Sequence, residues 1–333
     1  MSTNPPQLPV TVAISGAAGR VGYSLLFRIA YGAMFGTDQS VALRLLEHAS
    51  KMSRLQAIAL ELKDCTYPLL DSVTVSDDPH EAFAGADWIL LVAGSPRDIP
   101  SPARHELLKR NGAIYVEHGR MINAAAPAAR IVVIGAPCNA NCMIAMAHAA
   151  DVPREHWIAM NRLDAMRAAA FIAEKAAVPV AQVNRVTIWG NHGEQVYADA
   201  HNAFIGDTPA WQVIRDPAWM QEALQAHVRG RSAEIFRLHS ASPAATAAQA
   251  ILGTVRSLST PTPPGHYFSA AVASDGSYGV PKGLVFGFPL RTDDGHMWSI
   301  AQELYLDEFA ESQIAANIEQ IEQEAVLAER WFG

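Results

Sequence analysis

Cysteine is scarce in this chain: Cys65, Cys138 and Cys142 are the three in 333 residues, and none forms a CxxC pair. That excludes a disulfide-stapled scaffold and fits a reducing compartment. Basic residues are in deficit too, 25 Lys and Arg against 33 Asp and Glu, a net charge of −8. Nucleic acid and anionic membrane both demand a basic footprint, so neither is expected as a partner. A small anionic substrate stays open, because a few local arginines outweigh a diffuse negative field. No apolar run approaches the length that spans a bilayer. The opening MSTNPPQLP is polar and proline-rich, without a basic stretch leading into an apolar one, so no secretory leader is expected and the predicted location is cytoplasmic. No metal-ligand cluster, internal repeat or low-complexity tract stands out beyond alanine-rich helices. What remains is ordinary for a globular protein, 50% hydrophobic and 17% charged, and long enough for one large domain or two moderate ones.

The pattern begins with a β-branched strand, Pro9–Ser15, running into GAAGRVG. From Val21 the apolar Leu25, Leu26 and Ile29 share one helical face. Gly16, Gly19 and Gly22 therefore stand where a strand becomes a helix. There they permit a tight turn, a phosphate's approach to backbone N–H groups, and close packing of helix on sheet. A second strand, Val41–Leu46, ends at Glu47, an acid placed to accept from a ribose and to repel a 2′-phosphate, which favours NAD over NADP. A helix over Leu55–Leu62 and strands at Ser72–Val75 and Trp88–Ala93 follow. Gly94–Arg104, GSPRDIPSPAR, reads as a loop on its three prolines, carries Arg97 and Arg104, and precedes a helix from His105 to about Asn111. Ile131–Gly135 is a further buried strand. Strand and helix alternate throughout, the signature of an α/β fold with a parallel, doubly wound sheet.

After residue 157 the character changes, so the predicted domains are 1–157 and 158–333. NRLDAMRAAAFIAEKAA reads as a helix, then comes VTIWGNHG, a short strand opening onto His192. Helical segments between Ala218 and Val255 are expected to break at Gly230. Strands at Tyr267–Ala273 and Gly283–Pro289 precede an amphipathic final helix with its stripe on Ile314, Ile318, Ile321 and Ala325.

A histidine at a strand end titrates near neutral pH and is a candidate proton carrier. Asp164 and Arg167, three apart, project from nearly one helical face. A carboxylate on an imidazole fixes its tautomer, and a guanidinium forks onto a substrate carboxylate. With Arg97 and Arg104 these residues suit the oxidation of a hydroxy acid at a nicotinamide. A plain helix ion pair is the competing explanation for Asp164 and Arg167.

GAAGRVGYSLLFRIA, LELKDCTYPLL, NRLDAMRAAA, TIWGNH and SDGSYGVP, in this order, closely resemble the NAD-dependent malate dehydrogenases of the cytosolic type, within the lactate/malate dehydrogenase superfamily. The likeness runs from about Thr11 to the final helix. It implies a Rossmann domain followed by an α+β substrate domain, NAD as cofactor, a small 2-hydroxy or 2-oxo acid as substrate, and a homodimer. It makes His192 the proton donor and acceptor, Asp164 its carboxylate partner, and Arg167 the clamp for the C1 carboxylate. Gly16, Ala17, Ala18, Gly19, Arg20, Val21 and Gly22, with Glu47, are implied to hold the adenosine diphosphate half of NAD. Asn111, Ile134, Gly135 and Ala136 are implied to flank the nicotinamide half, and His118 stands where the family commonly has glutamine. Arg104 matches the arginine that polarises the reacting carbonyl.

Two positions depart from the pattern. The family's distal-carboxylate arginine falls six residues before the equivalent of Arg104, which here is Asp98, with Arg97 one further back. The family's Asn-Pro after the VVIG strand is Ala136-Pro137 here, so a substrate-binding amide is missing. Three activities stay open on the sequence: a malate dehydrogenase, a dehydrogenase of a different 2-hydroxy acid, and a nucleotide-binding paralogue with little turnover.

Overall fold

The computed structural model describes residues 8–95 and 103–332. In chain order the first half runs β1 (Val10–Ser15), α1 (Arg20–Ala30), β2 (Val41–Leu46), α2 (Met52–Asp64), β3 (Leu70–Ser76), α3 (Pro79–Phe83), β4 (Trp88–Leu91), α4 (Arg104–Ala125), β5 (Arg130–Val133), α5 (Cys138–Ala147) and β6 (Trp157–Ala159). The second half runs α6 (Arg162–Ala176), β7 (Val183–Asn184), β8 (Thr187–Trp189), β9 (Tyr197–Asp199), β10 (Phe204–Ile205), β11 (Thr208–Pro209), α7 (Ala210–Ile214), α8 (Leu224–His239), α9 (Ala245–Leu258), β12 (Phe268–Ala273), β13 (Val285–Thr292), β14 (Trp298–Ile300) and α10 (Glu308–Ala328).

Six strands pair in parallel in the order β3-β2-β1-β4-β5-β6, and β12, β13 and β14 extend the same sheet antiparallel from β6. The sheet is therefore continuous across residue 157, where β6 begins. Alternation along each strand sends neighbours to opposite faces. Val12, Ile14, Trp88, Leu90 and Val132 join α1, α2 and α9 in one core, while Ala13, Ile89, Leu91, Ile131 and Val133 join α3, α4 and α5 in another. Both faces are covered, which is why these strands read as unbroken apolar runs. A third cluster packs α6 and α8 around β8 and β9. Reversal of strand order between β1 and β4 opens a crevice at their carboxyl ends, where sheets of this kind receive ligands.

Several boundaries differ from expectation. The helix expected to stop near Asn111 runs from Arg104 through Ala125, so Arg104 begins a helix rather than ending a loop. Its glycines are close-approach sites: a Cβ on Gly112 would strike Trp331, and one on Gly119 would strike the Ala145 backbone. Helix α8 passes through Gly230 without interruption and ends at Ser240, held at φ 54°. The buried stripe of α10 is Ile314, Asn317, Ile321 and Glu324, with Ile318 and Ala325 only partly covered. Asp307 caps that helix, its side chain accepting from the Ala310 N–H at 2.8 Å.

His118 lies inside the second core, its ring edge-on to Phe83 and Tyr115 at 5.4 and 6.0 Å. It is 4% exposed, so the cofactor-flanking place expected of it is corrected: the ring packs the interior between α4 and the sheet. Burial pulls its pKa down to about 4. An unfolded histidine titrates near 6.5, so the folded state gains full benefit above that value and loses it as pH falls toward 4. Wild type is expected to lose about 2 kcal/mol between pH 7 and pH 5 from this group. Urea titrations of wild type and His118→Gln at the two pH values check it; parallel losses in both proteins would assign the acid sensitivity elsewhere.

Candidate active site

Strand β8 delivers His192 to the site through Gly190, whose φ of 85° and lack of a side chain are both used. A Cβ there would overlap the Asn317 amide on α10. The Gly190 carbonyl accepts from the Gly287 N–H at 2.7 Å, tying this turn to β13. Helix α6 then supplies Asp164, 1% exposed, whose Oδ2 lies 2.6 Å from His192 Nδ1. The other carboxylate oxygen accepts from Arg167 Nη1 at 3.2 Å. With Nδ1 engaged by a carboxylate, Nε2 is the ring atom left to give or take a proton. The His192 side chain is 21% exposed and so reachable from the cleft.

Arg167 is 7% exposed. Burial lowers its pKa, and the Asp164 charge works in the opposite direction. Its Nη2 donates to Ser232 Oγ on α8 at 2.7 Å, while Nε is buried without a partner. A buried guanidinium with an unspent donor, beside a proton carrier, is suited to gripping a carboxylate.

Arg104 comes to the same place from the other half of the chain. Its Nη1 donates to the His192 carbonyl at 2.6 Å, and its Nη2 donates to Glu324 Oε2 at 2.9 Å. Its Nε is also in contact with Glu324 Oε1. Gly193 makes room for this guanidinium, since a Cβ there would stand 2.8 Å from Nη1. Asn191 Nδ2 reaches Glu324 as well, at 3.4 Å. Arg97 and Asp98 lie outside the described residues.

The glycine turn after β1 has the build of a dinucleotide cradle. Gly16 sits at φ 71°, and a Cβ there would lie 2.8 Å from Ala93 at the end of β4. One on Gly22 would press on the Ala17 backbone, and one on Gly19 would stand 3.1 Å from the Gly16 carbonyl. Ala17 and Ala18 are buried, and Val21 is half-buried in the first turn of α1. Glu47 holds the turn from the tip of β2, its carboxylate accepting from the Ala18 N–H at 3.2 Å and pairing with Lys51 at 3.3 Å. Arg20 is exposed and donates to the Ser242 carbonyl at 3.1 Å, bridging the two halves of the chain. Shape and donors here fit NAD.

Asn111 clasps the ends of β4 and β5: its Oδ1 accepts from the Ser95 N–H and its Nδ2 donates to the Ala136 carbonyl, both at 2.8 Å. Ile134 and Gly135 both donate to the Leu91 carbonyl, and a Cβ on Gly135 would meet Tyr115 and Ala93. Asn111, Ile134 and Gly135 are thus buried at the carboxyl ends of β4 and β5, with Ala136 partly exposed beside them.

Four contributors escaped the sequence reading: Ser232, Asn191, Asn317 and Glu324. For the last two a signal existed, because polar residues at 317 and 324 interrupt the apolar spacing of α10 at its inward-facing positions. Among the described residues no group of His, Cys, Asp and Glu is arranged to hold a metal, and no helix is long and apolar enough to cross a membrane.

Two family models match the chain. Residues 10–158 match the lactate/malate dehydrogenase NAD binding domain, and residues 161–329 match the lactate/malate dehydrogenase alpha/beta C-terminal domain. A malate dehydrogenase from Magnetococcus marinus is 45% identical over 316 residues, covering 95% of this chain and 96% of that protein. The crystal structure of malate dehydrogenase from Naegleria fowleri superposes with a TM-score of 0.92 at 33% identity, over 98% of this chain and 100% of the other. Trichomonas vaginalis lactate dehydrogenase, solved in complex with NADH and oxamate, gives a TM-score of 0.92 at 30% identity over 97% of this chain and 98% of its own.

Proposed function

The chain belongs to the lactate/malate dehydrogenase family, and from that premise we propose how its residues divide the work of an NAD-dependent malate dehydrogenase. The reaction is reversible transfer of a hydride between malate and oxaloacetate, with NAD as the cofactor. The observation that carries the division is the His192–Asp164–Arg167 chain of contacts at 2.6 and 3.2 Å.

Residues 1–157 form the dinucleotide-binding part and 158–333 the substrate part. Gly16–Gly22 and Glu47 hold the adenosine diphosphate half, and Asn111 with Ile134–Ala136 flanks the nicotinamide half. When bound, NAD supplies the hydride acceptor. Arg167 grips the C1 carboxylate and fixes the C2 hydroxyl toward His192. His192 Nε2 takes the hydroxyl proton in malate oxidation and returns it to the carbonyl oxygen in oxaloacetate reduction, with Asp164 holding the ring and balancing the positive charge it acquires. Arg104, beside His192, polarises the reacting oxygen. Large apolar side chains left in solvent on and beside α1 and α2, Tyr23, Tyr31 and Leu60, support a homodimer, and the low cysteine count supports a cytoplasmic location.

The test is NADH consumption across a panel of 2-oxo acids with a parallel NADH titration. Oxaloacetate is expected to be turned over fastest. Binding of NADH without turnover of any acid removes the enzymatic assignment, and fast turnover of another acid with oxaloacetate far slower favours a different hydroxy-acid dehydrogenase, the reading that Asp98 and Ala136 support. At Ala136 a side-chain amide would add one hydrogen bond to a charged substrate, worth about 1.5–3 kcal/mol. Ala136→Asn is therefore expected to raise kcat/KM for oxaloacetate by about 10-fold or more; an unchanged or lower value removes the position from substrate binding.

A further inference from the structure

A clamp for a carboxylate has to be held in place without having its charge spent. Building on the assignment of Arg167 to the C1 carboxylate, we infer that Ser232 on α8 is the positioning residue for this clamp: its hydroxyl fixes the guanidinium and leaves the cation to the substrate. Helix α8 meets α6 along one face. Leu224, Val228 and Ser232 follow at intervals of four, so they lie one above the other. Leu224 and Val228 join Ala168 and Ile172 of α6 in one buried cluster. Where a third apolar side chain would continue that row there is a hydroxyl, and its Oγ accepts from Arg167, the neighbour of Ala168, at 2.7 Å. The buried residues of α8, Leu224, Gln225 and Val228, all precede Gly230. Beyond that glycine the helix meets Arg167 through a polar contact.

A guanidinium is a rigid plane, and a single contact leaves it free to swing. Asp164 holds Nη1 at 3.2 Å, but it lies three residues back on the same helix, and its other oxygen is given to His192 at 2.6 Å. Ser232 holds Nη2 from a different helix. Two nitrogens pinned from two elements fix the plane. A guanidinium has five N–H donors. With one on each Nη spent, the others remain for a ligand, and Nε is buried without a partner.

The nature of the acceptor matters as much as its place. A hydroxyl oxygen accepts a hydrogen bond while carrying no net charge. A carboxylate at the same spot would form a second ion pair, and the incoming C1 carboxylate would meet a like charge beside its own partner. Among the described residues Asp164 is the carboxylate paired with Arg167, and it is shared with His192. Ser232 therefore steadies the clamp without neutralising it. Because every 2-oxo acid has a C1 carboxylate, the contribution of Ser232 is independent of the rest of the substrate.

The experiment measures kcat and KM with oxaloacetate and with 2-oxobutyrate, together with urea midpoints, in wild type, Ser232→Ala, Ser232→Thr and Ser232→Asp. Ser232→Ala is expected to raise KM about 10-fold on both acids, with kcat and the NADH dissociation constant held within about threefold. Ser232→Thr keeps the hydroxyl and should return KM to within about threefold of wild type. Ser232→Asp keeps an acceptor on Arg167, so its midpoint should equal or exceed that of Ser232→Ala, yet its KM should rise about 100-fold or more. Opposite movements of midpoint and KM are what a packing role does not produce. An unchanged KM in Ser232→Ala, a Ser232→Thr no better than Ser232→Ala, or a KM that follows the midpoint through all three variants overturns the inference. Wild type decides the malate dehydrogenase reading separately. If it turns over oxaloacetate far more slowly than 2-oxobutyrate, that reading falls while the Ser232 comparison stands on 2-oxobutyrate; if it turns over neither acid, both fall.

Discussion

His192→Asn is expected to cut turnover about 100- to 10,000-fold in both directions, the range that a positioned acid or base contributes. Asparagine is close to the size of the imidazole's inner half, and its amide can still donate to Asp164. What it lacks is an atom that accepts a proton where Nε2 stands. Affinity for NADH should change by no more than about twofold, because the glycine turn and Glu47 lie at the ends of β1 and β2, away from β8. Single-turnover rates with oxaloacetate, together with fluorescence titration of NADH, separate the two effects. Turnover within a few-fold of wild type would take the proton from His192 and give it to another group. A large loss of NADH binding would instead place His192 among the cofactor contacts.

Arg167→Gln is the second large effect, and it should appear in two measurements at once. Losing the guanidinium removes a charge-assisted grip on the C1 carboxylate, a change that costs about 2–5 kcal/mol when the pair is desolvated. KM for oxaloacetate should rise by about two orders of magnitude or more. The same substitution leaves Asp164, 1% exposed, with His192 as its remaining side-chain partner. Breaking a buried pair from one side costs about 3–5 kcal/mol, so the urea midpoint should fall in step with activity. Adding guanidinium ion in the millimolar range is expected to restore part of the turnover without restoring the midpoint. A raised KM with an unchanged midpoint would show that Asp164 is held by its neighbours without help from Arg167.

These two expectations trace to residues visible in the linear chain, since Asp164 and Arg167 share a helical face and His192 follows a short β-branched strand. The central parallel strands β1, β4 and β5 were equally legible, because burial on both faces leaves no polar alternation to confuse the reading, whereas the short β6 was not read as a strand. Misreadings gathered where distant parts of the chain decide the outcome. Gly112 resembles a helix terminator, yet it is the slot that receives Trp331. Gly230 offers no such slot, and α8 simply tolerates it, turning only at Ser240. His118 resembles a polar contact for a ligand and is instead an interior ring pressed between Phe83 and Tyr115. Glu324 could not be linked to Arg104 by any local rule, because 220 positions separate them. Local spacing predicts faces; it does not predict which remote face arrives.

Helix α10 has a bearing on the order in which the enzyme becomes active during synthesis. The residues proposed for the nucleotide cradle lie between β1 and the turn after β5, and their core is closed only when α9 arrives to pack on β1 and α1. The substrate end is different. Until residues 317 to 324 emerge, Gly190 has no Asn317 amide beside it, and Arg104 and Asn191 have no carboxylate to share. The newborn chain therefore passes through a stage at which α9 has closed the core around β1 while Arg104 still lacks its carboxylate, and premature termination within the last helix would leave that arginine unheld.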